Sequence, residues 1–328
     1  MKHETFLIVI PCEEVTPSLK KTLTSIHQQT YTHWQVIAIL TQGTEKKLSK
    51  VTFIVDQKTL GNPSQKRNYT LKYRHFDYVL FLDDDVVLDR YFIEKAIVSL
   101  KQKNVSAVVG PLITPISSPF WEKISDRIWE SELLSLKYSP QKDRFNKETF
   151  VSDYSCAALV MKLSDFKKIG GFSEKFFPGE DTKLCLDITQ KLGKKIIRSE
   201  KMIAYHRRRP FPFGFLRQIS HYGFQRGRFA ILFPQTSLHV IYLVSFLSVA
   251  YGMGIVISLL VKKYPFFWMW LPFPVYLFLL SREVAIVYAK EKKIGLALFA
   301  GTGIFLTHIV YGIQFGRGVV VELGRKLI

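Results

Sequence analysis

The sequence predicts an α/β protein: a mostly parallel sheet flanked by helices, followed by an interfacial helix and a transmembrane helical tail. Three observations carry that expectation. Strand-like apolar runs alternate with helix-like patterns through about the first 200 residues. Three acids, Asp83, Asp84 and Asp85, stand directly behind one of those runs. Almost uncharged stretches long enough to cross a bilayer follow Pro234.

Phe6 to Ile10 is a continuous apolar run closed by Pro11, as expected for a strand buried on both faces. Ser18 to Gln29 sets Leu19, Leu23 and Ile26 at helical spacing, and Trp34 to Leu40 and Val51 to Val55 read as further strands. Gly61-Asn62-Pro63-Ser64 makes a turn and a helix start, with Gln65 to Tyr73 as the helix. Tyr78 to Leu82 is a strand whose carboxyl end delivers the aspartates, and ligands of such sheets sit beyond the carboxyl ends of their strands. In "SSPFWEKISDRIWESELL", Phe120, Trp121 and Trp129 belong to an amphipathic core helix, a reading preferred to an aromatic acceptor platform.

Phe211 to Phe233 mixes aromatics with Arg217, Arg226 and Arg228, as a helix at a membrane surface does. Ser237 to Val261, Tyr264 to Leu280 (interrupted by Pro272 and Pro274) and Ile294 to Gln314 are candidate spans, with an aromatic belt over Tyr264 to Phe273. Gly301 and Gly303 offer close helix contact in the third. The expected division is therefore 1–210, a catalytic domain; 211–234, an interfacial segment; and 235–328, about three transmembrane helices. Lys290, Lys292 and Lys293 then face the cytosol, in keeping with the positive-inside bias. Lys262, Lys263, Arg317, Arg325 and Lys326 face outward, which agrees less well.

The 328 residues are 48% hydrophobic with a formal net charge of +19. Acids gather before Asp187, while "YHRRRP" and "QRGR" form a basic block beside the apolar tail. That arrangement suits an anionic membrane surface or a phosphate-bearing substrate, and no nucleic acid partner is expected. Cys12, Cys156 and Cys185 are scattered with no CxxC, which argues against a disulfide framework or a zinc site and for a reducing compartment. Cys156 reads as a packing residue. The opening "MKHETFLIVIPC" is too short in its apolar part for a cleaved signal peptide, so the catalytic part is expected in the cytosol.

Crowded carboxylates call for a cation, and hard divalent ions take oxygen ligands and complete their shells with substrate phosphates. The triplet alone fits either such a site or a solvated acidic turn. "GGFSEKFFPGEDTKLCLDITQKLGKKI" adds Glu180 and Asp181 behind a Pro-Gly turn at the mouth of a helix buried through Leu184, Ile188 and Leu192. Asp181 reads as an N-cap and Glu180 as a surface charge, and the same position suits a general base taking a proton from a hydroxyl. His206 is a candidate metal ligand or phosphate donor. Arg207, Arg208 and Arg209 fit a phosphate or a lipid headgroup.

The strand with "LDDD", "QKRN" at Gln65 to Asn68 and "GGFSEKFFPGED" together resemble a family-2 glycosyltransferase of the GT-A, Rossmann-like fold, over roughly residues 5 to 210. The segment after "YHRRRPFPFGFLRQISHYGFQRGR" resembles membrane-anchored bacterial members that build exopolysaccharide or other lipid-linked glycans. The resemblance implies inverting transfer of a sugar from a nucleotide diphosphate donor to a hydroxyl of a lipid-linked saccharide at the cytosolic face of the bacterial inner membrane. It also implies Mn²⁺ or Mg²⁺ as cofactor, and membrane lipids and polysaccharide-assembly proteins as further partners. By position, Asp85 would bind the metal, Asp83 ribose or metal, with Asp84 the variable middle residue. Arg67 would lie near the nucleotide with Asn68 beside it, Pro11 would line the nucleoside pocket, and Arg207 would help hold the diphosphate. Asp181 would be the catalytic base with Glu180 its acidic neighbour. The sequence departs from the family where an Asp usually grips the base after the second strand: "AILTQGTEK" has none, leaving Thr41 or Gln42. A polyprenyl phosphate acceptor and a non-catalytic scaffold or nucleotide-sugar sensor are the alternative readings.

Overall fold

The computed structural model describes residues 3–44, 46–56, 62–135, 148–261 and 267–327. Gly61, Lys262, Lys263 and the first residues of the expected aromatic belt lie outside the described residues. The chain opens with β1 (Phe6–Cys12), α1 (Pro17–His27), β2 (Trp34–Leu40), β3 (Lys46–Leu48), β4 (Val51–Val55), α2 (Pro63–Asn68) and β5 (Tyr78–Leu82). It continues through β6 (Val86–Leu88), α3 (Phe92–Leu100), β7 (Val105–Val109), β8 (Leu112–Ile113), α4 (Phe120–Trp129) and α5 (Glu132–Ser135). Then come β9 (Glu148–Val151), β10 (Ala158–Lys162), α6 (Leu163–Ile169), α7 (Glu180–Leu186), β11 (Lys195–Ser199) and β12 (Ala204–His206). The last helices are α8 (Phe213–Leu232), α9 (Pro234–Ser237), α10 (Val240–Leu260), α11 (Pro272–Glu291) and α12 (Ile294–Lys326). These elements pack as two compact units, Met1–Pro115 with Asp143–Arg207, and Ile116–Lys142 with Arg208–Ile328.

The first unit holds a nine-stranded sheet among the described residues, in the order β3-β4-β2-β1-β5-β10-β7-β11-β9. β1 lies parallel to both β2 and β5, and β2 parallel to β4. The unbroken apolar run of β1 has a simple cause: Phe6, Ile8 and Ile10 feed one core, Leu7 and Val9 the other. Thr16 caps α1 by accepting from the Leu19 amide at 3.1 Å, and Leu19 and Ile26 are fully buried below it. Because the chain adds β2 and β4 on one side of β1 and returns with β5 on the other, a crevice opens at the carboxyl ends of β1 and β5. The expected helix from Gln65 to Tyr73 is the six-residue α2 followed by a 3₁₀ turn over Tyr69–Lys72.

β10 runs antiparallel to β5, with Ala158 opposite Leu82, so that the Asp83 amide donates to the Ala157 carbonyl at 3.0 Å. A second sheet, in the order β6-β12-β8, folds over the end of β5. It requires close backbone approach: a Cβ on Gly110 would lie 1.6 Å from the Met202 carbonyl oxygen, so only glycine fits there.

In the second unit, Ile124 and Ile128 of α4 pack with Phe211, Phe215 and Ile219 and with Leu296, Ala297, Ala300 and Ile304 of α12. α4 is therefore amphipathic, its buried face carried by Ile124 and Ile128 and meeting the C-terminal helices, whereas Phe120 and Trp121, expected in the core, are exposed at its first turn. α10, α11 and α12 are each long and apolar enough to cross a membrane by length and composition. The second apolar stretch differs from expectation, since its helix starts at Pro272 and runs to Glu291. The extension is stabilised by ion pairs to α4 and α5: Arg282 to Glu132 at 3.1 Å, Lys290 to Glu130 at 2.6 Å and Glu291 to Arg127 at 2.8 Å. α12 likewise continues past Gln314, packed along α8 and joined to it by Arg228 and Glu322 at 2.8 Å.

Candidate active site

The three aspartates form the tight link between β5 and β6. The Val86 amide donates to the Asp83 carbonyl at 3.3 Å, and Thr22 Oγ1 donates to the Asp84 carbonyl at 3.0 Å. Burial and the flanking Asp85 and Asp83 push the Asp84 carboxyl up to about 6. Asp85 points instead at His206, with Oδ1 and Nε2 3.3 Å apart. The small sheet makes that contact, because antiparallel pairing of β12 with β6 sets His206 opposite Val86, next to Asp85. His206 Nδ1 is buried and has no hydrogen-bond partner among the described residues.

The second acidic motif comes to the same place through Arg67. Its guanidinium, on α2 and 4% exposed, donates from Nη2 to Asp83 Oδ1 at 2.7 Å and from Nη1 to Glu180 Oε1 at 3.2 Å. The guanidinium carbon also sits 5.3 Å from the Phe172 ring centroid. Asn68 fixes the loop on which this depends: its Nδ2 donates to the Phe172 carbonyl at 3.0 Å and its Oδ1 accepts from the Phe172 amide at 2.8 Å. Gln65 adds a bond to Glu174 at 3.1 Å. "QKRN" and "GGFSEKFFPGED" are thus two halves of one clamp. Gly171, at φ +85° with Asn68 Oδ1 2.5 Å from where a Cβ would be, leaves no room for a side chain.

Two details of the second motif differ from the sequence reading. Gly179, not Asp181, caps α7, and Glu180 is buried at 7% exposure rather than a surface charge. The reason is geometric: the Gly179 amide donates to Glu180 Oε2 at 3.0 Å, turning the carboxylate inward onto Arg67. Burial and the adjacent Asp181 hold the Glu180 carboxyl up to about 7 against the pull of Arg67. Asp181 is raised too, first by burial, with Arg67 and hydrogen bonds from Cys156 opposing the rise. Its Oδ1 is buried with no hydrogen-bond partner among the described residues.

The remaining expected residues sit around this cluster. Pro11 is half-buried near the end of β1, in register with Ile39 of β2. Arg207 is exposed at the end of the first unit, whereas Arg208 turns to Asp126 in the second, 3.3 Å away. Sequence reasoning missed Lys66. It is 2% exposed, with Nζ donating to the Cys12 carbonyl at 2.5 Å and to Thr41 Oγ1 at 2.6 Å, so it ties together the ends of β1 and β2. Burial lowers its pKa. A lysine and an arginine adjacent on a short helix read as solvated charges, and no local pattern marks both as buried. Cys156 packs as expected and in addition reaches Asp181; burial raises its thiol well above the ordinary range.

Among the described residues, no three His, Cys, Asp or Glu side chains converge to enclose an ion on their own. The Asp85–His206 pair nonetheless offers one hard oxygen and one imidazole nitrogen within 3.3 Å, a donor set that suits a divalent ion whose shell is filled by water and phosphate.

The profile of glycosyl transferase family 2 matches residues 7–170, half the chain, and ends ten residues short of Glu180. Among curated proteins, the chain is 24% identical over 188 residues to the Escherichia coli UDP-Glc:alpha-D-GlcNAc-diphosphoundecaprenol beta-1,3-glucosyltransferase WfgD, covering 55% of this chain and 68% of that one. It is 25% identical over 191 residues to the pre-mycofactocin glycosyltransferase of Mycobacterium tuberculosis, covering 56% of this chain and 38% of that protein's length. Among solved structures, the mannosyltransferase PcManGT of Pyrobaculum calidifontis, in complex with GDP-Man and Mn²⁺, aligns with a TM-score of 0.52 at 14% identity. The alignment covers 99% of this chain and 88% of that one, a likeness that bears on the fold alone. The matched half runs from β1 through α2 and the acids behind β5 to the glycines after α6, the framework that positions the clamp. On that match the chain belongs to glycosyl transferase family 2.

Proposed function

We propose that the protein transfers a sugar, with inversion, from a nucleotide diphosphate sugar to a hydroxyl of a lipid-linked saccharide at the cytosolic face of a bacterial inner membrane. One observation carries this reading: a single buried guanidinium joins the acids behind β5 to the acids at α7, so donor-side and acceptor-side carboxylates share one crevice. The E. coli relative named for a diphosphoundecaprenol-linked acceptor supports the choice of acceptor class.

Each residue has a physical part. Pro11 and Lys66 shape the crevice at the ends of β1 and β2, where the nucleoside would lie. Asp85 and His206, with Asp83 nearby, would hold a divalent cation, which when bound offsets the charge that grows on the leaving diphosphate. Arg67 adds a fixed positive charge beside the same site and needs no reorganisation during reaction. Glu180 is held by Arg67 and the Gly179 amide and so orients α7 rather than reacting. Asp181, with Oδ1 lacking a partner among the described residues and its pKa raised by burial, is the better proton acceptor. The acceptor hydroxyl gives its proton to Asp181 as its oxygen bonds to the anomeric carbon. The bond from that carbon to the diphosphate breaks on the opposite face, and the electron pair leaves with the diphosphate.

The test is Asp181→Asn in membranes carrying the full chain, supplied with common nucleotide sugars and Mn²⁺. Turnover falls by about 10²–10⁴ while nucleotide binding is kept. Unchanged transfer to a polyprenyl phosphate, already ionised and needing no base, would replace the hydroxyl acceptor in this reading. Neither hydrolysis nor transfer from any donor, with no metal-dependent nucleotide binding, would favour a scaffold or sensor.

A further inference from the structure

We infer that the base of the donor is uracil or thymine, read by Thr41 as hydrogen-bond donor and Asp56 as acceptor, with Lys66 and Tyr69 as positioning residues that fix those two roles. This assignment rests on the proposed transfer from a nucleotide diphosphate sugar, whose nucleoside it specifies.

Lys66 on α2 and Tyr69 at the start of the following 3₁₀ turn are three positions apart, so they project from one side of the helical segment. Opposite them the ends of β2 and β4 lie side by side, with Leu40 in register with Val55 and the Asp56 amide donating to the Leu40 carbonyl at 2.9 Å. Side chains alternate along a strand. Leu7 and Val9 of β1, Ile37 and Ile39 of β2, and Ile54 of β4 all face the core on which Tyr69 also packs. Pro11, Thr41 and Asp56 each follow by two residues and so continue that face, as a row at the carboxyl ends of β1, β2 and β4.

Each helical residue sets the hydrogen-bonding sense of one strand-end residue. Lys66, a donor with no acceptor atom, donates to the Cys12 carbonyl at 2.5 Å and to Thr41 Oγ1 at 2.6 Å. With that oxygen accepting from an ammonium, the Thr41 O–H is left to donate. The Tyr69 hydroxyl donates to Asp56 Oδ2, which fixes the direction of a carboxylate able to accept further bonds. Burial lowers the Lys66 pKa, and Asp56 is among the negative charges that oppose the fall, so the two side chains act on each other across Thr41. Thr41 and Asp56 are half-buried, whereas Gln42 is exposed, its amide and that of Thr41 both donating to the Glu13 carbonyl. A donor and an acceptor thus stand on neighbouring strands, about 4.8 Å apart.

Sheet order decides which end of a nucleotide they meet. β5, which carries the acids, neighbours β1; β2 comes next and β4 after it. A diphosphate held at β5 therefore leads its nucleoside past Pro11 to Thr41 and then to Asp56, across about three strand spacings, roughly 14 Å. On a pyrimidine the groups follow in the same order outward from the ribose: the 2-carbonyl first, ring position 3 next. Thr41 donates to the carbonyl, which uracil, thymine and cytosine share. Asp56 meets position 3, an N–H in uracil and thymine but a bare lone pair in cytosine. A carboxylate facing that lone pair opposes two acceptors, and cytosine is rejected.

The test is calorimetry on the full-length protein in detergent with Mn²⁺, using UDP and CDP, which differ only at ring positions 3 and 4. UDP should bind about 10–100 times more tightly than CDP. In Asp56→Asn the amide oxygen still accepts from Tyr69 while the amide nitrogen donates to cytosine, so the preference should fall to within about threefold. Tyr69→Phe keeps the ring in its core and removes the hydroxyl, and should cut the preference about 3–10-fold. A purely structural role for these residues predicts that both nucleotides weaken equally with their ratio unchanged, and that result overturns the assignment. CDP or GDP binding the unmutated protein as tightly as UDP overturns it as well. Binding of no nucleotide at all overturns the sugar-transfer reading along with it, whereas the other adverse results leave that reading standing.

Discussion

Replacing Arg67 with leucine removes the guanidinium that bridges the two acidic motifs, and the loss should depend on pH in a defined direction. The guanidinium lies 2.7 Å from Asp83 and 3.2 Å from Glu180, with side-chain exposures of 5%, 32% and 9%. Deleting one partner of a buried pair costs about 3–5 kcal/mol. The half-open Asp83 contact is screened by water and accounts for about 1 kcal/mol of that. The rest falls on Glu180 and Asp181, which keep each other's charge without a counterion. Glu180 already holds its proton to about 7 in the native protein, against 4.5 ordinarily. Without Arg67 both carboxyls rise further. The native variant then binds more protons than its unfolded chain from about pH 4.5 upward, so its stability falls as pH rises through that window. Thermal unfolding should show a deficit of about 1 kcal/mol near pH 5.5 and about 3–5 kcal/mol near pH 8.5. At roughly 2–4 °C per kcal/mol, the second figure is a midpoint lowered by about 6–20 °C. Adding Glu180→Gln to the variant should recover much of the loss at high pH only. A deficit of equal size at both pH values, or none at pH 8.5, would refute the charge argument.

Lys66→Met should cost about 1–3 kcal/mol, because it leaves the Cys12 carbonyl and the Thr41 hydroxyl without their buried donor. Calorimetry should also show about tenfold weaker nucleotide binding, since the ends of β1 and β2 are no longer tied. Gly227→Val should lower the thermal midpoint by driving a side chain into the Phe315 carbonyl, a loss of about 3 kcal/mol or more, whereas Gly252→Ala, with open space around it, should be neutral in the same scan.

How much of this was legible in the sequence depended on whether the cause was local. β1 and β5 were readable because strands buried on both faces are apolar throughout, and α1 because Leu19, Leu23 and Ile26 recur at helical spacing. The meeting of "QKRN" with "GGFSEKFFPGED" was implied by family resemblance, but the agents of that meeting, Asn68 holding Phe172 and Arg67 holding Glu180, are separated by more than a hundred positions and leave no periodic trace. Glu180 read as a surface charge because carboxylates at a helix mouth usually are; its burial follows from a partner that only folding supplies. The end of α11 was misplaced for the same reason. Hydropathy stops at Leu280, yet the helix continues where Glu130, Glu132 and Arg127 stabilise its charges.

The grouping of α4 with the C-terminal helices has a consequence for how the protein is made. Ile124 and Ile128 emerge from the ribosome early, while Leu296 and Ala297, which cover them, follow about 170 residues later, roughly 10–30 s at ordinary elongation rates. For that interval a nascent amphipathic helix has no partner within its own polypeptide. Synthesis beside a bilayer would give its greasy side a temporary shelter, whereas release into open cytosol would leave it to chaperones or to aggregation.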